Sequence, residues 1–390
     1  MKDLTSIKGV GDFFAKKLRQ GGYKSIAHIV NANAKSLQTD TNIPLPIAAR
    51  IIKEAQILTT HKGSQKYVVG VDMGGTKILA ATITEDGTII SRAKTATKAH
   101  KNPTKVIDRI ANCINKAIEQ ANLSKNNIQS IGIGAPGPLN PQDGVIIFAP
   151  NLNWYNVPLK KELEDRLEIP TFLDNDVNVG TMGEFIHGAG QGVNSLVGIF
   201  VGTGIGGGII LNGELFHGAN KTAGEIGHII VKADGPKCNC GNSGCLEAIS
   251  SRTAITKRIR KTVLTRGKKS HILELNDGNL NSIRSGTLAK AIAKSDKVTI
   301  KVMRRAAKYL GIGIASVVNF LNPEMIILGG GVVEALDNKF IERIRKFAAE
   351  YALPNTMDGV EIVTAKLGDD AGVIGASVLA HHNFDNNLLS

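Results

Sequence analysis

Aromatic residues make up only 4% of the 390-residue chain, with a single tryptophan, and cysteine occurs four times. So few cysteines exclude a small disulfide-built scaffold. The core must come from aliphatic side chains, which at this length suffice for two or three α/β domains. No run reaches about 18 consecutive apolar residues, so no membrane-spanning helix and no membrane partner are expected. The opening stretch MKDLTSIKGVGDFF lacks the apolar core of a secretion signal, and a soluble, cytoplasmic protein is expected. Acidic residues are also scarce: 34 Asp and Glu stand against 47 Lys and Arg, a net of +13. Residues 1–66 hold 11 Lys and Arg against 4 Asp and Glu, so a net of +7 sits in this segment and +6 in the other 324 residues.

The polar stretch at residues 60–66, THKGSQK, separates the basic N-terminal piece from the first strongly apolar strand pattern, YVVGVDM. It reads as a linker between modules. After it, VVGVDMGGTKILAATITEDGTIISRA alternates strand, glycine turn, strand, turn and strand. A related pattern returns at Leu196–Gly218, LVGIFVGTGIGGGIILNGELFHG. Each half of the main body therefore begins on a hairpin with a glycine turn of a size to cradle a phosphate. One such turn is commonly a mere hairpin connection; the repetition is what points to an anion.

Between the halves, a strand at Pro170–Leu173 ends in Asp174-Asn175-Asp176 and leads into a Gly-containing helix, 177–188. Carboxylates at the carboxyl end of a strand are placed to react, and Asn175 or Asp176 would serve equally as a helix N-cap. A small-residue helix at 306–319 precedes Asn-Pro, a buried strand at 325–328 and the glycines 329–331, which can hold a nucleoside at a helix start. The final helix, GDDAGVIGASVLAHH, carries small residues at 371, 372, 375 and 376, suited to close packing. The segment TRGKKSHILELNDGNLNSIRSG reads as a surface excursion without chemistry.

Three of the four cysteines fall within eight residues, ten positions after a lone histidine: His228, Cys238, Cys240 and Cys245. One imidazole and three thiolates make a tetrahedral zinc set. The competing reading, two disulfides, would need Cys113, which lies far off on a helix pattern, VIDRIANCINKAIEQ. With four protein ligands the metal would be structural.

Together these motifs resemble the ROK family of sugar kinases and repressors over Tyr67–His382. The motifs are VGVDMGGTKILAA, GIGAPGP, DNDVN, GTGIGGGI, GEIGH with CNCGNSGCLE, and NPEMIILGGG. The resemblance implies an α/β, two-lobed actin-like ATPase fold with RNase H-like lobes at 67–175 and 176–390, the last helix returning to the first lobe. It implies ATP and Mg²⁺ at Asp72, Gly74, Gly75, Thr76, Lys77, Gly202, Thr203, Gly204, Gly329 and Gly330, with Asp72 orienting Mg²⁺ through water. It implies a hexose, with glucose foremost, at Asn151, Asn175, Asp176, Glu225, His228 and Glu247. Asp176 becomes the general base for the 6-hydroxyl, Asp174 a supporting residue and Zn²⁺ a shaper of the sugar pocket. A homo-oligomer, dimer or tetramer, is expected. The alternative within the family is a sugar-responsive DNA-binding regulator. One departure is local: where many relatives carry Pro-Gly before the tryptophan, this chain has NLNWYNVPL with Asn153.

The N-terminal piece, 1–59, resembles the helix-hairpin-helix domain of archaeal strand-exchange recombinases. That resemblance implies DNA-phosphate contacts at Lys8, Gly9, Gly11, Lys16 and Lys17, though the second hairpin, NIPLPIAAR, lacks glycines. A protein-docking or dimerisation module fits the same pattern.

Overall fold

The computed structural model describes residues 4–7, 10–60, 67–98, 102–336 and 338–387. Two compact units result, residues 1–66 and 67–390. In the first, helices Asp12–Gln20, Ile26–Val30, Ala34–Thr41 and Leu45–Thr60 enclose an aliphatic core that includes Leu18, Ile29, Leu37, Ile43 and Ile51. Gly11 caps the first long helix in extended backbone (φ −76°, ψ 178°). Ser25 and Asn33 cap the next two by accepting from the amides of His28 and Lys35, as short polar side chains do at helix starts. Lys8, Gly9 and the linker positions 61–66 lie outside the described residues.

The second unit is built on two sheets of the same design. Its first half holds β1 (Tyr67–Met73), β2 (Lys77–Thr84), β3 (Ile89–Ala96), β4 (Ile128–Ala135), the short β5 (Leu139–Asn140), β6 (Val145–Ala149), β7 (Trp154–Val157) and β8 (Thr171–Asn175). The main sheet runs β3-β2-β1-β4-β8, antiparallel through the β1–β2–β3 meander and parallel across β1, β4 and β8. The second half holds β9 (Leu196–Val201), β10 (Ile205–Leu211), β11 (Glu214–Leu215), β12 (Met325–Gly329) and β13 (Glu361–Thr364), ordered β11-β10-β9-β12-β13. The directions match those of the first sheet, with β9, β12 and β13 parallel. The repeat read from the glycine turns is thus a repeat of whole sheets, and parallel strands buried on both faces explain the near-continuous apolar runs.

Boundaries moved where tertiary packing extends an element. The strand expected at 170–173 runs on to Asn175, and its helix spans Asp176–His187. The helix expected at 306–319 is 25 residues long, Lys297–Leu321. Asn153 adopts φ 56°, ψ 42°; asparagine tolerates this left-handed backbone, so it takes the place of glycine before the fully buried Trp154.

The last helix, Ala371–Asn387, lies on the first sheet. A Cβ built on Gly70 would strike the carbonyl of Val373, and one on Gly132 the carbonyl of Ala376. Gly183 and Gly375 let this helix touch Asp176–His187 backbone to backbone in the same way. Ser130 Oγ donates to Ala380 O (3.2 Å) and Arg92 pairs with Asp370 (2.8 Å). The small residues of the helix therefore fix the carboxyl ends of β1, β4 and β8 relative to the helix that follows β8.

Candidate active site and metal centre

Register sets Asp72 on β1 opposite Gly134 on β4, and Gly134 opposite Asp174 on β8. Three polar residues at the end of β8 then divide three tasks. Asn175 caps the helix, its Oδ1 accepting from Val177 N (2.9 Å). Asp174, almost fully buried, is consumed: it accepts from Asn175 N (2.7 Å), Asn178 Nδ2 (2.9 Å) and His217 Nε2 (2.5 Å). Asp176, in the first helical turn, accepts only from Val177 N (2.9 Å) among the bonds of the described residues. The cap is therefore Asn175, and the Asp176 carboxylate is not needed for it.

Enclosure by both halves, then the charge of Asp72, then that of Glu225 push the Asp176 carboxyl up to about 6. Asp72 is itself raised by burial, with Lys77 opposing and Asp369 adding to the shift. Acidic groups driven upward together in a cleft are a recognised mark of function.

The first glycine turn closes with Gly74 N donating to Lys77 O (2.9 Å), and Thr97 Oγ1 holds Gly74 O (2.7 Å). The second closes with Gly202 N on Gly204 O (2.9 Å). Any anion must therefore address the later amides of each turn. Asn151 stands across from the first turn, 3.3 Å from a Cβ placed on Gly75. Glu247 braces the second, its Oε2 accepting from Ile205 N (2.9 Å) and filling the space beside Gly204. Asn151, Thr203, Gly204 and Glu247 line one cleft of ≈ 740 Å³.

In the cysteine loop, His228 Nδ1 lies 3.7 Å from Cys238 Sγ, Cys240 Sγ lies 3.7 Å from Cys245 Sγ, and all four ligand atoms fall within 4.8 Å of one another. A sulfur separation of 3.7 Å is far beyond a disulfide bond of about 2.05 Å. It matches the edge, about 3.8 Å, of a tetrahedron with metal–sulfur bonds of about 2.3 Å. Burial and the neighbouring thiols push Cys245 up to about 12, a strain that a dication among the sulfurs would reverse, so the donor set fits zinc. The other ring nitrogen of His228, Nε2, faces Glu225 Oε2 at 3.8 Å.

A second cavity of ≈ 550 Å³ is lined by Arg252, Ile283, Arg284, Ser285, Gly331 and Glu334 among others. Gly330 precedes it at φ 85°, with a Cβ position only 2.8 Å from Val201 N and O; no other residue fits there. Gly329 packs on Phe200. Among the described residues, the buried Ser285 Oγ has no hydrogen-bond partner, and it suits a ligand hydroxyl or ring nitrogen. Arg252 Nη2 donates to Thr203 Oγ1 (2.6 Å), linking this cavity to the second glycine turn. The segment read as a surface excursion is in part core: Leu280 and Ile283 are buried, and Ile283, Arg284 and Ser285 line this cavity. Arg252, Ser285, Glu334 and His217 were not singled out from sequence, because no motif spacing marks a residue recruited from a distant loop.

With this geometry in place, the comparisons decide the family. The family model described as ROK family matches residues 68–383. The chain belongs to the ROK family. This ROK protein is 39% identical to a glucokinase of Halalkalibacterium halodurans over 317 residues, 81% of this chain and 95% of that one. It is 31% identical to a xylose repressor of Caldicellulosiruptor bescii, over 79% of this chain and 76% of the repressor. A crystal structure of a ROK family glucokinase from Streptomyces griseus in complex with glucose and AMPPNP superposes with a TM-score of 0.71 at 33% identity, covering 81% of this chain and 99% of that one. The ROK body thus has the two-lobed actin-like ATPase fold. Residues 1–56 match a model described as SAM-like helix-hairpin-helix tandem.

Proposed function

We propose that the protein is an ATP-dependent hexose kinase, a glucokinase, that moves the γ-phosphate of ATP to the 6-hydroxyl of the sugar. The observation that carries this reading is Asp176: a carboxylate freed from capping duty and raised to about 6 by burial and by the nearby charges of Asp72 and Glu225. Its value sits close enough to neutral pH for the group to be ionised and still accept a proton readily. Asn151, Asn175, Glu225, His228 and Glu247 supply the acceptors and donors that a sugar's hydroxyls require. Asn175 keeps its Nδ2 nearly free, 3.5 Å from Gly137 O. As the 6-oxygen forms its bond to the γ-phosphorus and the bond to the β-γ bridging oxygen breaks, Asp176 takes the hydroxyl proton, and ADP leaves.

The amides of Gly75, Thr76, Thr203 and Gly204 hold the phosphates, with Gly74, Gly202 and Lys77 shaping the two turns. Gly329 and Gly330 lie beside the adenosine, with Ser285 Oγ offered to it. Asp72, raised by burial, would be the carboxylate that holds a Mg²⁺, which when bound would neutralise charge on the phosphates. His228, Cys238, Cys240 and Cys245 would hold a structural Zn²⁺; with His228 Nδ1 given to it, Nε2 would be left to face the sugar. Clustered reduced thiols suit a cytoplasmic setting. A dimer or tetramer is supported by the exposed Phe320 (87%) and Leu353 (63%), and light scattering tests it. The experiment for the main reading is an ATP-coupled assay across glucose, mannose, fructose and N-acetylmannosamine; no turnover of any hexose would refute it.

The likeness to a xylose repressor supports a second reading, a sugar-responsive DNA-binding regulator with the N-terminal module as its DNA contact. Gly11 begins a helix there, Lys16 is exposed, and Lys17 Nζ instead reaches Asn42 O (3.3 Å). Such a regulator would bind sugar and DNA without transferring phosphate.

A further inference from the structure

A groove of ≈ 740 Å³ opens on the second half of the body, away from the carboxylate centre, between helix Arg252–Leu264 and the long helix Lys297–Leu321. Nine of its lining residues are Lys or Arg. Arg258 stands on one helix, Lys268 and Lys269 on the loop after it, and Lys301, Arg304 and Arg305 on the other. Among the described residues that line it there is no Asp or Glu. Lys297, Lys301, Arg304 and Lys308 recur at three- and four-residue intervals, so one face of the long helix is a stripe of cations. Like charges at this spacing weaken a helix, and here they are not offset by interleaved carboxylates. The crowding is felt within the groove: burial first, then Arg305 and Arg266, pull the Arg258 guanidinium downward. An anion against this face would relieve that repulsion.

The floor identifies which anion. Val298, Val302, Tyr309 and Phe347 form an apolar bottom under the charged walls, and the Arg305 guanidinium lies 4.7 Å from the Tyr309 ring. Cationic walls over an aromatic and aliphatic floor are the arrangement by which proteins take an unpaired strand, phosphates at the sides and bases on the flat surfaces. Inorganic polyphosphate would satisfy the walls and leave the floor bare, and a duplex hides its bases from it. The groove also does not end blindly. Arg258 and Arg305 line both it and the catalytic cleft, where Lys257 and Lys261 continue the positive track.

We propose that this groove binds single-stranded nucleic acid. The site is separate from the N-terminal module and from the kinase reading, and it would place a polynucleotide beside the mouth of the cleft. The test uses the full-length protein and a fluorescent 20-nucleotide oligo-dT in an anisotropy titration. With about five phosphates neutralised, the log-log salt slope should be about −3.5, since single strands contribute roughly −0.7 per contact. The triple variant Lys268→Glu/Lys301→Glu/Arg304→Glu should bind at least about tenfold more weakly, with a slope about two shallower. All three side chains are exposed and lie outside the catalytic cleft, so ATP-dependent glucose phosphorylation should be unchanged, and that activity also reports correct folding. A milder pair, Lys301→Gln/Arg304→Gln, should fall between. Unaltered binding by both variants overturns the proposal, because the strand would then be held by the N-terminal module alone. Displacement by inorganic polyphosphate as effective as by unlabelled oligo-dT at equal phosphate concentration, or equally tight binding of a duplex, overturns it too. Loss of kinase activity in every protein, with strand binding intact, would sink the kinase reading and leave this one standing.

Discussion

Replacing Asp176 with Asn separates what the carboxylate does for turnover from what it costs the fold. The amide is nearly isosteric and can still accept from Val177 N, as Oδ1 does now at 2.9 Å, but it cannot take a proton. Turnover should fall about 100- to 10,000-fold, the usual contribution of a positioned base, while KM for glucose changes little. Stability should move the other way. Burial and the charge of Asp72 push this carboxyl up to about 6 from its ordinary 3.8, a gap corresponding to ~3 kcal/mol at 1.36 kcal/mol per pH unit. Its sign follows from proton counts. Between pH 4 and 6 the unfolded chain has released this proton and the folded chain still holds it, so unfolding becomes easier as pH rises through that window. Above pH 6 the full penalty is present; below about pH 4 it is absent. The Asn variant, free of the penalty, should be more stable than the parent at pH 7.5 by up to ~3 kcal/mol, and the difference should vanish near pH 4. Denaturant melts at both pH values check this. A coupled assay of kcat/KM for glucose should show the parent losing about tenfold per pH unit below pH 6, a limb absent from the variant's residual activity. A variant within tenfold of parental turnover, or one destabilised at pH 7.5, would refute the reasoning.

Elemental analysis should find one zinc per chain, and Cys240→Ser should lose it and raise KM for glucose, because the loop presenting Glu225 and His228 loosens; full activity without zinc would contradict a structural metal. Ser285→Ala should leave the melting temperature unchanged and raise KM for ATP about fivefold, the value of one hydrogen bond of ~1 kcal/mol made only with ligand; an unchanged KM would remove Ser285 from the nucleotide site. Gly132→Ala should destabilise by about 1–3 kcal/mol in urea melts, since the added methyl meets the Ala376 carbonyl; a neutral result would mean that the last helix is not seated as described. Lys16→Glu should make the salt slope for duplex DNA about one unit shallower with kinase activity intact, if the N-terminal module contacts phosphates; an unchanged slope would favour a docking role.

How much of this was legible beforehand depends on whether the information is local. The metal set was, because His228, Cys238, Cys240 and Cys245 lie within 18 residues and their donor chemistry admits few alternatives. The two glycine turns were, because the pattern of an apolar strand, a Gly/Thr turn and a second apolar strand occurs twice. The cluster at 174–176 was legible as a place but not as a division of labour. Asn175 and Asp176 are equally good caps in isolation; His217, brought from the other half to Asp174, and the register of β8 against β4 determine which carboxylate is left free.

By itself, then, the chain's pattern determined the repeated α/β body, the separate basic module, the His/Cys cluster and the neighbourhood of the carboxylates at 174–176, all matters of spacing along a strand, a turn or a loop. Tertiary structure alone decided what depends on segments meeting. It brought Arg252, Ser285 and Glu334 together beside the glycines 329–331, and pressed Gly70 and Gly132 against the last helix. It raised Asp176 by setting Asp72 and Glu225 near it. It also turned two unremarkable basic stretches, around Arg258–Lys269 and Lys297–Lys308, into the two walls of one groove. The physical reason is common to all four: burial and Coulomb interaction depend on distance in space, and residues far apart in sequence acquire that distance only when the sheets and helices pack.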